Sequence, residues 1–81
     1  MQITVKLFAI LRDRAGVSEL SIDLSEDASV ASAAEQLANR LPSIRDLLPR
    51  VAFALNREYV AGDTILRDGD ELALIPPVSG G

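Results

Sequence analysis

The chain has 81 residues, 48% hydrophobic and 25% charged, which is enough for one small domain and too few for a second. Cysteine and histidine are both absent, which excludes thiolate nucleophiles, disulfides, imidazole acid–base chemistry, zinc sites with Cys or His ligands and cysteine-ligated iron–sulfur clusters. Twelve acidic residues against eight basic ones leave a net charge of -4, so a phosphate backbone would be repelled unless the basic residues gathered on one face.

They do not gather in the sequence. Lys6, Arg12, Arg14, Arg40, Arg45, Arg50, Arg57 and Arg67 are scattered, and Phe8, Phe53 and Tyr59 are the only aromatics for stacking bases. No nucleic acid is expected as a partner. The apolar run Leu7 to Leu11 is too short for a bilayer, and Lys6 interrupts any signal-like core. A cytoplasmic protein with no membrane association is the expectation.

Ile3, Val5, Leu7, Ala9 and Leu11 recur with period two, which predicts a first strand with Phe8 and Ile10 on its opposite face. Arg12-Asp13-Arg14-Ala15-Gly16 then reads as a solvated hairpin loop, and Leu20, Ile22 and Leu24 as a second strand. Ser29 is placed to cap a helix whose apolar face is Val30, Ala33, Ala34, Leu37, Ala38 and Leu41, and Pro42 ends it. Ser43 to Leu48 is expected as one more helical turn closed by Pro49.

Val51, Phe53 and Leu55 predict a third strand, and Asn56-Arg57 a turn into a short fourth one over Glu58 to Val60. Thr64 to Leu66 form a short packed turn, and Asp68-Gly69-Asp70 turns tightly into a last strand over Glu71 to Ile75. Asp63, Asp68, Asp70 and Glu71 miss the spacing of a calcium loop, so turn chemistry accounts for them and no metal site is expected. This element order is that of an α+β domain with one main helix across a mixed sheet. A β-grasp arrangement fits it, with the first and last strands adjacent at the sheet centre. The domain spans residues 1–75, and residues 76–81 form an extended, flexible tail.

That tail, Pro76-Pro77-Val78-Ser79-Gly80-Gly81, has no charge and no amphipathic period. Composition alone leaves two readings open. It is a frayed terminus, or it is a stiff Pro-Pro spacer followed by residues slim enough for a narrow channel. In the second case the uncommon reactive group is the α-carboxylate of Gly81, which needs activation, for example as an acyl-adenylate, before sulfur or an amine can replace the leaving group. Ser79 has no histidine partner and reads as a small channel-fitting residue.

The tail, the approach Asp68-Gly69-Asp70-Glu71-Leu72-Ala73 and the opening Leu7-Phe8-Ala9-Ile10-Leu11-Arg12 together resemble the small subunit of molybdopterin synthase, the MoaD family of ubiquitin-like β-grasp sulfur carriers. The resemblance implies that an E1-like adenylyltransferase uses ATP to activate Gly81, that a sulfur donor system then makes a thiocarboxylate, and that the chain itself binds no cofactor. It implies further that Pro76, Pro77, Val78, Ser79 and Gly80 carry Gly81 into a pocket of the large catalytic subunit. There sulfur passes to cyclic pyranopterin monophosphate to build the molybdopterin dithiolene, within a heterotetramer.

Strand alternation adds a second pointer to a partner. Phe8, Ile10, Ala73 and Ile75 face away from the helix if the first and last strands are neighbours, leaving an apolar patch that either meets a partner or is covered by a loop. The resemblance places Phe8, Tyr59 and Ile75 in the contact with the large subunit, and alternation adds Ile10. Family members often carry aromatics before Pro-Pro, where this chain has Leu74 and Ile75. Three alternatives remain open: a carrier of the same fold for thiazole synthesis or tRNA thiolation, a protein modifier joined to lysines through Gly81, and an interaction domain with an inert tail.

Overall fold

Alternation of Ile3, Val5 and Leu7, each no more than 1% exposed, drives strand β1 (Gln2–Leu7) in the computed structural model, which describes residues 1–77. The expectations for Val78, Ser79, Gly80 and Gly81 lie outside the described residues.

The first strand stops four residues sooner than its alternation predicts. Phe8 is still extended, but Ala9 takes a left-handed φ of 49°, and helix α1 (Ala9–Ala15) follows. The stretch Arg12 to Ala15 is therefore helical and not a hairpin loop. Leu7 and Leu11 are four residues apart, a spacing that satisfies both a period of two and one turn of helix. Burial of Leu11 against the core decides for the helix. Gly16, at φ 79°, closes α1 in the left-handed conformation that favours glycine, and its N–H donates to the Arg12 carbonyl at 2.9 Å. Arg14 donates to both carboxylate oxygens of Asp46 at 3.0 and 3.1 Å, and the Ser43 hydroxyl donates to the Arg14 carbonyl at 3.0 Å. These contacts dock the short helix on the segment that follows the main one.

Strand β2 (Glu19–Asp23) returns antiparallel to β1, with Leu20 opposite Val5 and Ile22 opposite Ile3. Helix α2 (Val30–Arg40) starts where predicted, with the Ser29 hydroxyl accepting from the Ser32 N–H at 3.1 Å. Its buried residues Val30, Ala33 and Leu37 form one stripe along the core. Pro42 disfavours a helical Leu41, which sits at φ -127°, and α2 ends there. Gln36 and Arg40 donate to the carbonyls of Asp23 and Ser21, so α2 also covers part of the free edge of β2.

The expected extra turn over Ser43 to Leu48 is instead two 3₁₀ turns, Pro42–Ile44 and Leu48–Arg50, with Pro49 inside the second rather than closing the segment. Each proline sits in the first positions of its turn, where the missing N–H is no loss. Ile44 and Leu48 are buried and Leu47 partly so.

Strands β3 (Ala52–Leu55), β4 (Glu58–Val60) and β5 (Glu71–Ile75) complete a five-stranded sheet in the order β2-β1-β5-β3-β4. Strand β5 lies at the centre, parallel to β1 and antiparallel to β3. That arrangement is the ubiquitin-like β-grasp expected from the element order, with α1 as an additional helix. Leu72 and Leu74 of β5 are fully buried against the inward residues of β1 and α2.

Candidate functional site

Register decides what surrounds the end of β5. Leu74 lies beside Leu7 of β1, and Ile75 lies opposite Ala52 of β3. Pro76 and Pro77 follow directly outside the strand, and neither has an N–H for a further ladder bond. The chain therefore leaves the sheet from its central strand, between Phe8 on one side and the start of β3 on the other.

Around this exit the sheet face turned away from α2 is unevenly built. Toward β2 it is polar, with Thr4 beside Ser21 and Lys6 beside Glu19. Toward β4 it is apolar, since Tyr59 pairs with Ala54, Ala54 with Ala73, and Ala52 with Ile75. Tyr59 is 76% exposed and Phe8 42%, while Ile75 is half-buried. Phe8 and Ile75 thus share the face that alternation assigned to them, and pairing with Ala54 brings Tyr59, which the resemblance named, onto the same face. Ile10 does not reach it by that route: it is 43% exposed on α1, because the strand ends before it. Ala52 and Ala54 belong to the same surface, and their alternation with Phe53 becomes informative only once β3 is known to pair with β5.

The acidic residues near the opposite end of β5 are committed to turns. Asp68 accepts from the Gln2 N–H at 2.7 Å, and Asp70 accepts from the Arg67 N–H at 2.7 Å and from Asn56 Nδ2 at 3.0 Å. Among the described residues no group of three or more Asp or Glu could hold a metal ion, and no helix is long and apolar enough to cross a membrane. An open groove of about 440 Å³ lies between α2 and β3, lined by Ala31, Ala34, Ala38, Val51 and Phe53. Its walls are mostly apolar, with Glu35 and Arg45 as the charged residues that line it.

The ThiS family matches residues 5–81. The molybdopterin synthase sulfur carrier subunit of Chlamydomonas reinhardtii is 41% identical over 83 residues, covering all of both chains. That of Arabidopsis thaliana is 36% identical over 81 residues, covering all of this chain and 84% of the relative. Among solved structures, SAMP1 from Haloferax volcanii superposes over the full length of both chains with a TM-score of 0.90 at 32% identity. Matching fold, full-length coverage and these identities place the chain in the ThiS family, among the molybdopterin synthase sulfur carrier subunits.

Proposed function

We propose that this chain works as the sulfur-donating subunit of a molybdopterin synthase, with Gly81 as the atom-carrying residue. The observation that supports this is the exit of the chain from central strand β5 into Pro76-Pro77, beside an exposed apolar face. An E1-like partner adenylates the Gly81 carboxylate at the expense of ATP, and sulfur displaces AMP to leave a thiocarboxylate. The anionic sulfur is nucleophilic without help from histidine, which agrees with the composition. Phe8, Tyr59 and Ile75 dock the carrier on the large subunit, and residues 76–80 bring Gly81 to cyclic pyranopterin monophosphate. The catalytic side chains for that transfer belong to the large subunit.

Likeness to small archaeal modifier protein 1 (SAMP1) of Haloferax volcanii, in sequence and in fold, supports a second reading in which Gly81 is joined to amines of other proteins. The two readings share activation and differ in acceptor. Intact mass of the untagged chain purified from its own host separates them. Sulfur in place of oxygen at the terminus, together with a larger companion subunit, is the expected result. Lysine-linked adducts without sulfur would favour the modifier. Extending the chain by one residue beyond Gly81 should abolish transfer and leave the fold intact; undiminished transfer would overturn both.

A further inference from the structure

Basic residues that are scattered along the sequence gather at one end of the fold. Strand β1 ends and β3 begins at the chain exit, where Leu7 pairs with Leu74 and Ala52 with Ile75. The connections at that end are residues 8–18, which hold α1, and residues 41–51, which hold the two 3₁₀ turns. Arg14, Asp46 and Ser43 dock the two connections on each other. Together they carry four arginines, Arg12, Arg14, Arg45 and Arg50, against two aspartates, Asp13 and Asp46.

The other end of the sheet has the opposite balance. Its connections are residues 24–29, the Asn56-Arg57 turn and the approach to β5 over residues 61–70. That approach is tied to the first turn of α2 and to Gln2 at the start of β1. These connections carry five acidic residues, Glu26, Asp27, Asp63, Asp68 and Asp70, against Arg57 and Arg67. A chain of net charge -4 therefore turns its positive surplus toward the end where its terminus leaves.

That surplus is open to a partner, since all four arginines are exposed. Arg14 is engaged by Asp46 at 3.0 Å, and Arg12 lies 3.8 Å from Asp13. Arg45 donates to the Ala38 carbonyl at 3.3 Å, and neither it nor Arg50 is paired with a carboxylate among the described residues. Lys6 adds nothing to the surplus, because Glu71 and the cross-strand Glu19 offset it. The arginine-bearing connections border the apolar face at Phe8 and Ala52. An apolar centre with an arginine border suits a protein partner, and a guanidinium fork pairs best with carboxylates. A nucleic acid fits less well, because so small a surplus does not outweigh the repulsion from a chain of net charge -4.

We infer that the partner surface receiving this chain exit is acidic, and that the charge asymmetry turns the carrier exit-first as the two proteins approach. The inference rests on the carrier reading above for the identity of the partner. At separations beyond contact, attraction at one end and repulsion at the other select the orientation in which Phe8 and Ile75 meet the partner.

The test measures the association rate of the full chain with the large subunit of molybdopterin synthase and, separately, with the E1-like adenylyltransferase. Stopped-flow mixing with a fluorophore on the partner is run from about 0.01 M to about 1 M salt, over which the screening length falls from roughly 30 Å to 3 Å. Two double variants change the net charge equally. Arg12→Glu with Arg50→Glu reverses charge at the exit end, and Arg57→Glu with Arg67→Glu reverses it at the far end. Circular dichroism checks that each is folded, and Arg12→Gln with Arg50→Gln replaces the first pair if it is not. The wild-type rate should fall as salt rises. Exit-end reversal should slow association about tenfold at low salt, the Gln pair about threefold, and neither by more than about twofold at 1 M salt. Far-end reversal should slow it by less than about threefold at any salt. Equal slowing by the two Glu pairs would overturn the inference, as would a wild-type rate indifferent to salt or faster association on exit-end reversal. Retention of duplex DNA by wild type and not by the exit-end variant would overturn it in favour of a nucleic acid. If wild type does not bind the large subunit but shows the full pattern with the adenylyltransferase, the synthase reading falls and this inference stands. Binding to the large subunit without the pattern overturns this inference alone.

Discussion

Asn56 and Asp70 are 14 residues apart in sequence and meet at 3.0 Å, Asn56 Nδ2 donating to Asp70 Oδ1 while Asn56 Oδ1 accepts from the Glu71 N–H at 3.0 Å. One side chain thereby ties the β3–β4 turn to the start of the central strand. Asn56 is also at φ 48°, a left-handed conformation that asparagine tolerates better than most residues.

Asn56→Ala removes both hydrogen bonds and that tolerance. It should cost about 2 kcal/mol, from roughly 1 kcal/mol per hydrogen bond tempered by solvent exposure and about 1 kcal/mol of backbone preference. Urea unfolding measures it. A loss no larger than that of an ordinary surface substitution would show that the turn is not fastened through this residue.

Arg57, the next residue, has φ 73°, so the two-residue turn is of the type in which glycine is favoured at this position. Arg57→Gly should stabilise the protein by about 0.5–1 kcal/mol, because the relief of a left-handed non-glycine residue exceeds the added freedom of the unfolded chain. A fall in the urea midpoint would contradict this.

Ile44 lies outside both α-helices, yet it is fully buried in the core. Ile44→Ala should cost about 3 kcal/mol, as much as Leu37→Ala in the middle of α2, since both leave a cavity. Ile65→Ala, at a 52% exposed position, is the control and should change stability by less than about 0.5 kcal/mol. Equal small effects at Ile44 and Ile65 would show that the 3₁₀ segment is not part of the core.

Phe8 and Tyr59 are exposed, so Phe8→Asp and Tyr59→Ala should leave the melting temperature within a few degrees of wild type. Each should weaken binding to the large subunit of molybdopterin synthase by about 2 kcal/mol, or thirtyfold, the size of a buried aromatic anchor. Titration calorimetry with the large subunit reads it directly. Full affinity in both variants would remove this face from the interface.

Ile10 shows where the sequence and the fold part company. Period-two alternation carried the strand through Leu11 because Leu7, Ala9 and Leu11 fit a strand, while Leu7 and Leu11 fit a helical turn equally well. No local signal separates the two. The choice was made by burial of Leu11 and by the contacts of Arg14 with Asp46 and of Ser43 with the Arg14 carbonyl, which are 32 and 29 residues apart in sequence.

Elements governed by their own residues were legible from the sequence alone. Ser29 and Pro42 bound α2 through a cap and a lost donor, Asn56-Arg57 sets a tight turn, and alternation from Glu71 to Ile75 marks a strand. Absence of Cys and His excludes thiolate and imidazole chemistry without reference to the fold. The shared face of Tyr59, Ala54 and Ala73, the place of the chain exit between Phe8 and Ala52, and the ion pair of Lys6 with Glu71 depend on which strands pair and in what register. Pairing is a contest among long-range contacts that only the assembled core resolves, because a one-residue slip would turn every side chain to the other face.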